Sequence, residues 1–487
     1  MAGEKMSAPQ KSPASPDALE SAYKPRIADI FVPNNQIREF KRKHSLQLVN
    51  LRNGVRIIGI SQGTPDSLDT RIEYTMPYGG AEDPKGQEGI THFLEHMFVP
   101  KILRQQAGLL GVRVNAHTSA MEVAQVADGL VNPEVPEYGL KPLLPSLRDA
   151  LFYPLQQIDN PEAAVNGERG AILGEITRKK ADHSRTVWDI ADARVYALDN
   201  PSAIDAIGTE ESVSAITAED IARHAENVLI PDGLTIRVFT EGKATSRRQV
   251  IQELSHLFKL LPREWKKSKR PDWEKLAKLH PDVYKGGMHQ IDTGLRNNQV
   301  SALIFWPVNN ELFGQSHFAL RYFTGLMRQR LHLMVRDQGL GYVDNAGMRE
   351  PGGENALFYT QIDFRKWSAE NPYGFKPEEF PEKFSQIMDD LLGNGNEAEK
   401  ITDADIEEYT KSQKIGMRAR PTSREQILNW AEYGLRKFGQ MVDAEKVNDI
   451  YTSVTPQAVI QWRDTLAKQQ PMMLLVGDLP DANKAEK

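Results

Sequence analysis

Alternating apolar and polar positions open the folded part of the chain. Residues 46–62 (LQLVNLRNGVRIIGISQ) form two such runs around Arg52-Asn53-Gly54, and Asn-Gly between alternating runs predicts a β-hairpin. Residues 70–76 (TRIEYTM) alternate again and predict a third strand. The Gly- and Pro-containing stretch 78–89 predicts a loop that delivers the chain to THFLEHM at 91–97, a helix that Pro100 is expected to close. Residues 108–130 predict a small-residue turn and then a strand or strand pair, and apolar spacing of three and four predicts helices over 138–151 and 161–180. Thr217, with Asp220 three residues later, predicts a capped helix, followed by the strand LTIRVFTEG and a helix over 246–261. The second half repeats the mixture: a strand over 300–308, a helix over 315–335, then RDQGLGYVDNAG, given no element, and the strand ALFYTQIDF. Helices centred near Ile387, Glu407 and Leu428 follow, and the last two elements are the helix QAVIQWRDTLAKQ and the strand PMMLLVGD. The basic trio Lys41-Arg42-Lys43 reads as the solvated lead into a strand.

The endings of the two halves share one plan. SAITAEDIARHAENVLIPDGLTIRVFTEG and TSVTPQAVIQWRDTLAKQQPMMLLVGD each run from an Ile/Val-Thr cap through an amphipathic helix to an apolar strand ending at Gly, with Thr217 and Thr455 separated by 238 positions. The same offset carries His92 to Arg330, in a helix that contains His332 but no His-x-x-Glu-His string. The expectation is a duplicated α+β unit in which only the first copy keeps the metal motif. The predicted division is a disordered tail and lead-in over 1–40, a catalytic domain over 41–262, a basic linker over 263–287 and a homologous non-catalytic domain over 288–487.

Composition narrows the chemistry. A chain of 487 residues with 26% charged residues and a net charge of −6 gives no reason to expect nucleic acid or an anionic membrane as partner. The basic stretch REWKKSKRPDWEKLAKLH reads as a solvated linker, since no nucleic-acid-binding module surrounds it. Cysteine is absent, so a metal site must use histidine and carboxylate. The Ser-, Ala- and Pro-rich start lacks a signal-peptide core and no run approaches a membrane span, which predicts a cytoplasmic protein.

His92, Glu95 and His96 stand in the order His-x-x-Glu-His. On a helix, residues four apart lie one above the other, so both imidazoles leave one face and can hold one divalent ion. Glu95 lies close enough to handle a water without ligating the metal, and this inverted order is a zinc-peptidase signature. The competing reading is a helix with two partly buried histidines. Further along, Glu168 and Glu175 lie seven residues apart on the predicted 161–180 helix, hence on one face. An exposed acidic stripe is the ordinary alternative for such a pair. His117 reads as a surface or substrate-groove histidine rather than a ligand.

With these segments in hand, the sequence resembles the pitrilysin and insulin-degrading-enzyme family of zinc peptidases, the inverzincins, which include mitochondrial processing peptidase. The resemblance runs over 46–242 and more loosely over 288–478. GITHFLEHM is similar to the family's central motif, GERGAILGEI to its glutamate helix, and NAHTSAMEV to the segment where members pair substrate with an edge strand. VRDQGLGYV resembles the Arg…Gly-Leu-x-Tyr segment that completes the site from the other domain, with Arg336 and Tyr342 one residue closer than in most members. Glu175 follows His96 by 79 positions (175 − 96), slightly longer than usual, which suggests a small loop insertion.

The resemblance implies an α+β fold of two related domains, each a mostly antiparallel sheet packed with helices, facing each other as a clamshell. It implies one Zn2+ per chain on His92, His96 and Glu175, with Glu95 as general base and Glu168 as supporting acid. Tyr342 and Arg336 would complete the site, and Asn115, Ala116, His117 and Thr118 would bind peptide or unfolded protein as an added strand. A homodimer, or a heterodimer with a paralogue, is the expected assembly. The alternatives are a non-catalytic partner subunit of a processing peptidase, or a zinc site that only stabilises the fold.

Overall fold

The computed structural model describes residues 30–479 except 65, 133, 157, 198–199, 262–277, 310–313, 338–342, 350–354, 366–375, 377–378, 394 and 396–398. Most of the predicted basic linker therefore lies outside the described residues. Among the described residues, eleven strands form two sheets. The first contains β1 (Gln47–Asn50), β2 (Arg56–Ser61), β3 (Asp69–Met76), β4 (Arg113–Thr118), β5 (Val123–Leu130) and β6 (Thr235–Thr240), in the order β1-β2-β6-β3-β5-β4. The second contains β7 (Gly287–Asp292), β8 (Gln299–Asn309), β9 (Val343–Arg349), β10 (Asn355–Arg365) and β11 (Met472–Gly477), in the order β7-β11-β8-β10-β9.

The duplication is written in the pairing. β2 runs parallel to β6, and β6-β3-β5-β4 then alternate antiparallel; β7 runs parallel to β11, and β11-β8-β10-β9 alternate in the same way. The hairpin strand β1, set off at Asn53-Gly54, is the one addition in the first sheet. The 238-residue offset also holds for the helix before the last strand of each sheet, Ala218–Val228 against Pro456–Leu466. Where the offset places Arg330 in the second copy, its guanidinium pairs with Asp405 on the helix Asp403–Ala419.

Each sheet buries one face on its own helices. Ile72, Tyr74, Met76, Ile236 and Val238 join the first core, and Val300, Ala302, Ile304 and Trp306 the second. The opposite faces are covered by exchange between the halves. The helix His183–Val195 follows the glutamate-bearing helix in sequence yet packs Val187, Ala191 and Val195 on Leu303, Phe305 and Leu474 of the second sheet. The helix Arg424–Phe438 packs Ile427, Leu428 and Ala431 on Ile58 and Ile60 of the first sheet. Burial on both faces explains why VSALIFWPV reads as a continuous apolar run.

Four expectations need correction. Pro100 does more than close the motif helix: its extended backbone starts a second one, Lys101–Leu109. RDQGLGYVDNAG, expected to hold no element, ends in strand β9, because pairing with β10 overrides the weak intrinsic preference of VDNAGMR. The trio Lys41-Arg42-Lys43 ends a helix, Ile37–Lys43, rather than leading into a strand. The described part of the lead-in, grouped with the tail, is packed into the fold: Ile30 and Phe31 are buried in the second core, and Val32 N–H donates to the Met441 carbonyl at 2.9 Å.

Candidate metal centre

The motif helix spans Ile90–Met97 and buries Ile90, Phe93, Leu94 and Met97 on the first sheet and neighbouring helices. Its opposite face carries His92 and His96, whose ring centroids lie 4.9 Å apart at 88°. The start of the helix is closely constrained. Gly89 has φ +91°, and a Cβ there would stand 2.5 Å from the Ile207 carbonyl oxygen, so only glycine fits both the turn and the approach. Asp83 accepts from the backbone N–H of Gly89 (2.6 Å) and Thr91 (3.2 Å) and from the Thr91 hydroxyl (2.5 Å), and so caps the positive end of the helix. Since the single Thr91 hydroxyl proton goes to Asp83, His224 Nε2–H donates to Thr91 Oγ1 at 2.8 Å. Burial pushes Asp83 up to about 7, against the Thr91 hydroxyl and the two backbone amides, and pulls His224 down to about 4. Asp83, Thr91 and His224 were missed in the sequence reading, although His224 lies on the buried face of its helix between Ile221 and Val228.

The two carboxylates come from the helix Pro161–Ala181, which Asn160 caps by accepting from Ala163 N–H. Their separation of seven residues puts both on the face toward the histidines. Glu168 Oε2 lies 3.0 Å from His96 Nδ1. Glu175 Oε2 lies 3.5 Å from His92 Nε2 and 3.8 Å from His96 Nε2. Glu95 Oε2 lies 3.5 Å from His92 Nε2, and His92, Glu95 and His96 each offer a donor atom within 4.8 Å of the others. Burial pulls His92 down to about 4, helped by the neighbouring His96, so the ring is neutral near pH 7 and one of its nitrogens keeps a lone pair free. Burial likewise pushes Glu95 up to about 7, opposed by His96 and reinforced by Glu175.

The donor types, imidazole and carboxylate, are those zinc takes; among the described residues His92, Glu95 and His96 are the group whose donor atoms lie close enough together to hold an ion, and Glu175 approaches both imidazoles from the second helix. Bonds of about 2.0–2.2 Å in a tetrahedron require ligand atoms about 3.3–3.5 Å apart, close to the spacings at Glu175. The His96 Nδ1 contact to Glu168 leaves Nε2 as the nitrogen that could coordinate an ion, the usual arrangement for a histidine ligand.

The other residues singled out in the sequence fall in two groups. Asn115, Ala116, His117 and Thr118 lie on β4, the edge of the first sheet beside the motif helix, with Asn115 and His117 exposed. Tyr342 lies outside the described residues. Arg336 is exposed in the last turn of the helix Gln315–Asp337 and makes no hydrogen bond or ion pair to the histidine cluster among the described residues.

Neither a protein-family profile nor a curated protein matches the sequence. Solved structures do match the fold. A peptidase M16 inactive domain from Pseudomonas fluorescens aligns with a TM-score of 0.66 at 14% identity, over 89% of this chain and 98% of that one. A protease from Helicobacter pylori gives 0.65 at 13% identity, over 89% and 99%. The first half of the periplasmic protease PqqL from Escherichia coli gives 0.63 at 14% identity, over 90% and 93%, and the chain covers 48% of the longer PqqL structure. No helix among the described residues is long and apolar enough to cross a membrane. The chain thus carries the two-domain α+β fold of these solved structures, which is the fold the sequence resemblance implied.

Proposed function

We propose that the protein is a zinc-dependent metalloendopeptidase that hydrolyses peptide bonds in unstructured peptides or protein segments. The observation that carries this reading is the position of Glu175 Oε2, 3.5 and 3.8 Å from the two motif imidazoles and delivered by a separate helix. His92, His96 and Glu175 would hold the ion. When bound, zinc supplies Lewis acidity that polarises a carbonyl and lowers the pKa of a water toward about 7. Glu95 takes the proton from the attacking water and hands it to the leaving amine, and its raised proton affinity suits both transfers near neutral pH. Glu168 fixes the ring and tautomer of His96. An extended peptide adds to β4, the edge strand of the first sheet among the described residues, so backbone hydrogen bonds supply affinity and many sequences are tolerated. Tyr342 is the candidate oxyanion donor. At about half the length of PqqL, the chain is expected to pair with a second copy or a paralogue.

A second reading, a non-catalytic partner subunit, is favoured by one observation: an inactive domain has the same fold at a TM-score of 0.66. The two readings separate in one experiment. Zinc content is measured alongside cleavage of mixed unstructured peptides, with and without phenanthroline. Glu95→Gln should keep zinc and lose cleavage; near-normal hydrolysis by that variant sinks the mechanism. One bound zinc with no cleavage of any peptide by the unaltered chain selects the partner-subunit reading.

A further inference from the structure

The metal donors come from two helices that are not joined by any short connection, so something must set their relative position. Segment 207–224 touches both. On the motif-helix side, Ser212 Oγ donates to the Glu88 carbonyl at 2.7 Å, Gly89 packs on Ile207 and Gly208, and His224 donates to Thr91. On the glutamate-helix side, Glu162 accepts from Ala218 N–H at 3.3 Å and Lys180 pairs with Glu210 at 2.9 Å, and among the described residues Arg169 alone makes two bonds to the segment. Arg169 Nε donates to the Val213 carbonyl at 3.3 Å, Nη2 donates to the Ile216 carbonyl, and Nη1 donates to Asn166 Oδ1 one turn earlier. The same guanidinium carbon lies 5.9 Å from the centroid of the Phe93 ring, which belongs to the motif helix between the two histidines.

We infer that Arg169 is a positioning residue that places Glu168 and Glu175 against His92 and His96 by fastening their helix to the 213–216 turn and to Phe93. The inference rests on the proposed metal centre. Arginine is the side chain suited to this role, because its planar fork can donate to two carbonyls at once, whereas a lysine ammonium is a single point charge. Neither carbonyl has a helical partner to spare. The turn between the helices Glu210–Ala215 and Ala218–Val228 leaves both free to accept, and Arg169 is half-buried against them.

The test is zinc affinity of the full chain, measured by competition with a chromophoric chelator, with the metal-free melting temperature as a folding check. Arg169→Met should weaken zinc binding by about 10–100-fold. In a Glu168→Gln/Glu175→Ala background, where no carboxylate remains to be placed, the same substitution should change affinity by less than about threefold. A loss of equal size in both backgrounds, or no loss in the first, overturns the inference. If Arg169→Met does not fold, Arg169→Lys carries the same comparison with a smaller expected loss. Failure of the unaltered chain to bind zinc would instead overturn the metal-centre reading, and the two failures are distinct.

Discussion

Glu168 Oε2 stands 3.0 Å from His96 Nδ1, across 72 residues of sequence. The contact favours one tautomer: Nδ1 carries the proton it donates to the carboxylate, and in the proposed metal centre Nε2 would coordinate. Glu168→Gln keeps the size but can present its amide group to Nδ1 and loses the charge. Zinc affinity should fall about 10–100-fold, with peptide cleavage recovered at saturating zinc. Isothermal titration with zinc checks this; unchanged affinity would mean that Glu168 acts on substrate instead.

The buried pair Asp83 and His224 predicts a pH dependence with two opposed contributions. His224, pulled down to about 4, contributes stability that is fully present above its unfolded value near 6.5 and is lost as pH falls toward about 4. Asp83, pushed up to about 7, contributes stability that is present below its unfolded value near 3.9 and is lost as pH rises through about 7. Between about pH 4 and 6.5 the two offset each other. His224→Gln removes one side, so the stability gap between the unaltered chain and this variant should widen with rising pH by on the order of 2–3 kcal/mol. Urea midpoints of the metal-free proteins at about pH 4.5 and about pH 6.5 give the answer. A constant gap would show that His224 titrates normally in the folded chain.

Between the halves, the Arg349 guanidinium lies 4.1 Å from the Trp188 ring centroid and pairs with Asp192 on the same helix. Arg349→Met leaves Asp192 half-buried without its cation. The expected cost is about 3 kcal/mol near pH 7, shrinking as pH falls, because burial already raises the Asp192 pKa and the acid can take up a proton. Equilibrium urea unfolding at two pH values measures both the cost and its slope.

The local signals in the sequence were strong wherever one element made its own structure. Asn53-Gly54 set the β1–β2 hairpin, the Thr217–Asp220 capping box began its helix, and the seven-residue spacing of Glu168 and Glu175 placed both acids on one face. What the sequence hid depended on partners far along the chain. VDNAGMR becomes a strand only because β10 lies beside it, and 30–32 packs into the fold only because residues near Met441 and Val442 receive it. The residues that hold the metal helices in register are of the same kind. Arg169 sits beside Glu168 in the motif itself, but nothing near it in sequence says that its carbonyl partners are 44 and 47 residues away.

The exchange of His183–Val195 and Arg424–Phe438 has a consequence for how the chain can be divided. Each half lends a helix to the other, so neither half alone covers both faces of its own sheet. The second half without His183–Val195 would expose Leu303, Phe305, Leu357 and Leu474 as one sticky surface. Residues 1–261 and 278–487 made together as two polypeptides should therefore co-purify as a single non-covalent particle that still binds zinc, whereas 278–487 made alone should aggregate. The peptide connection between the halves is, on this account, dispensable once they have met.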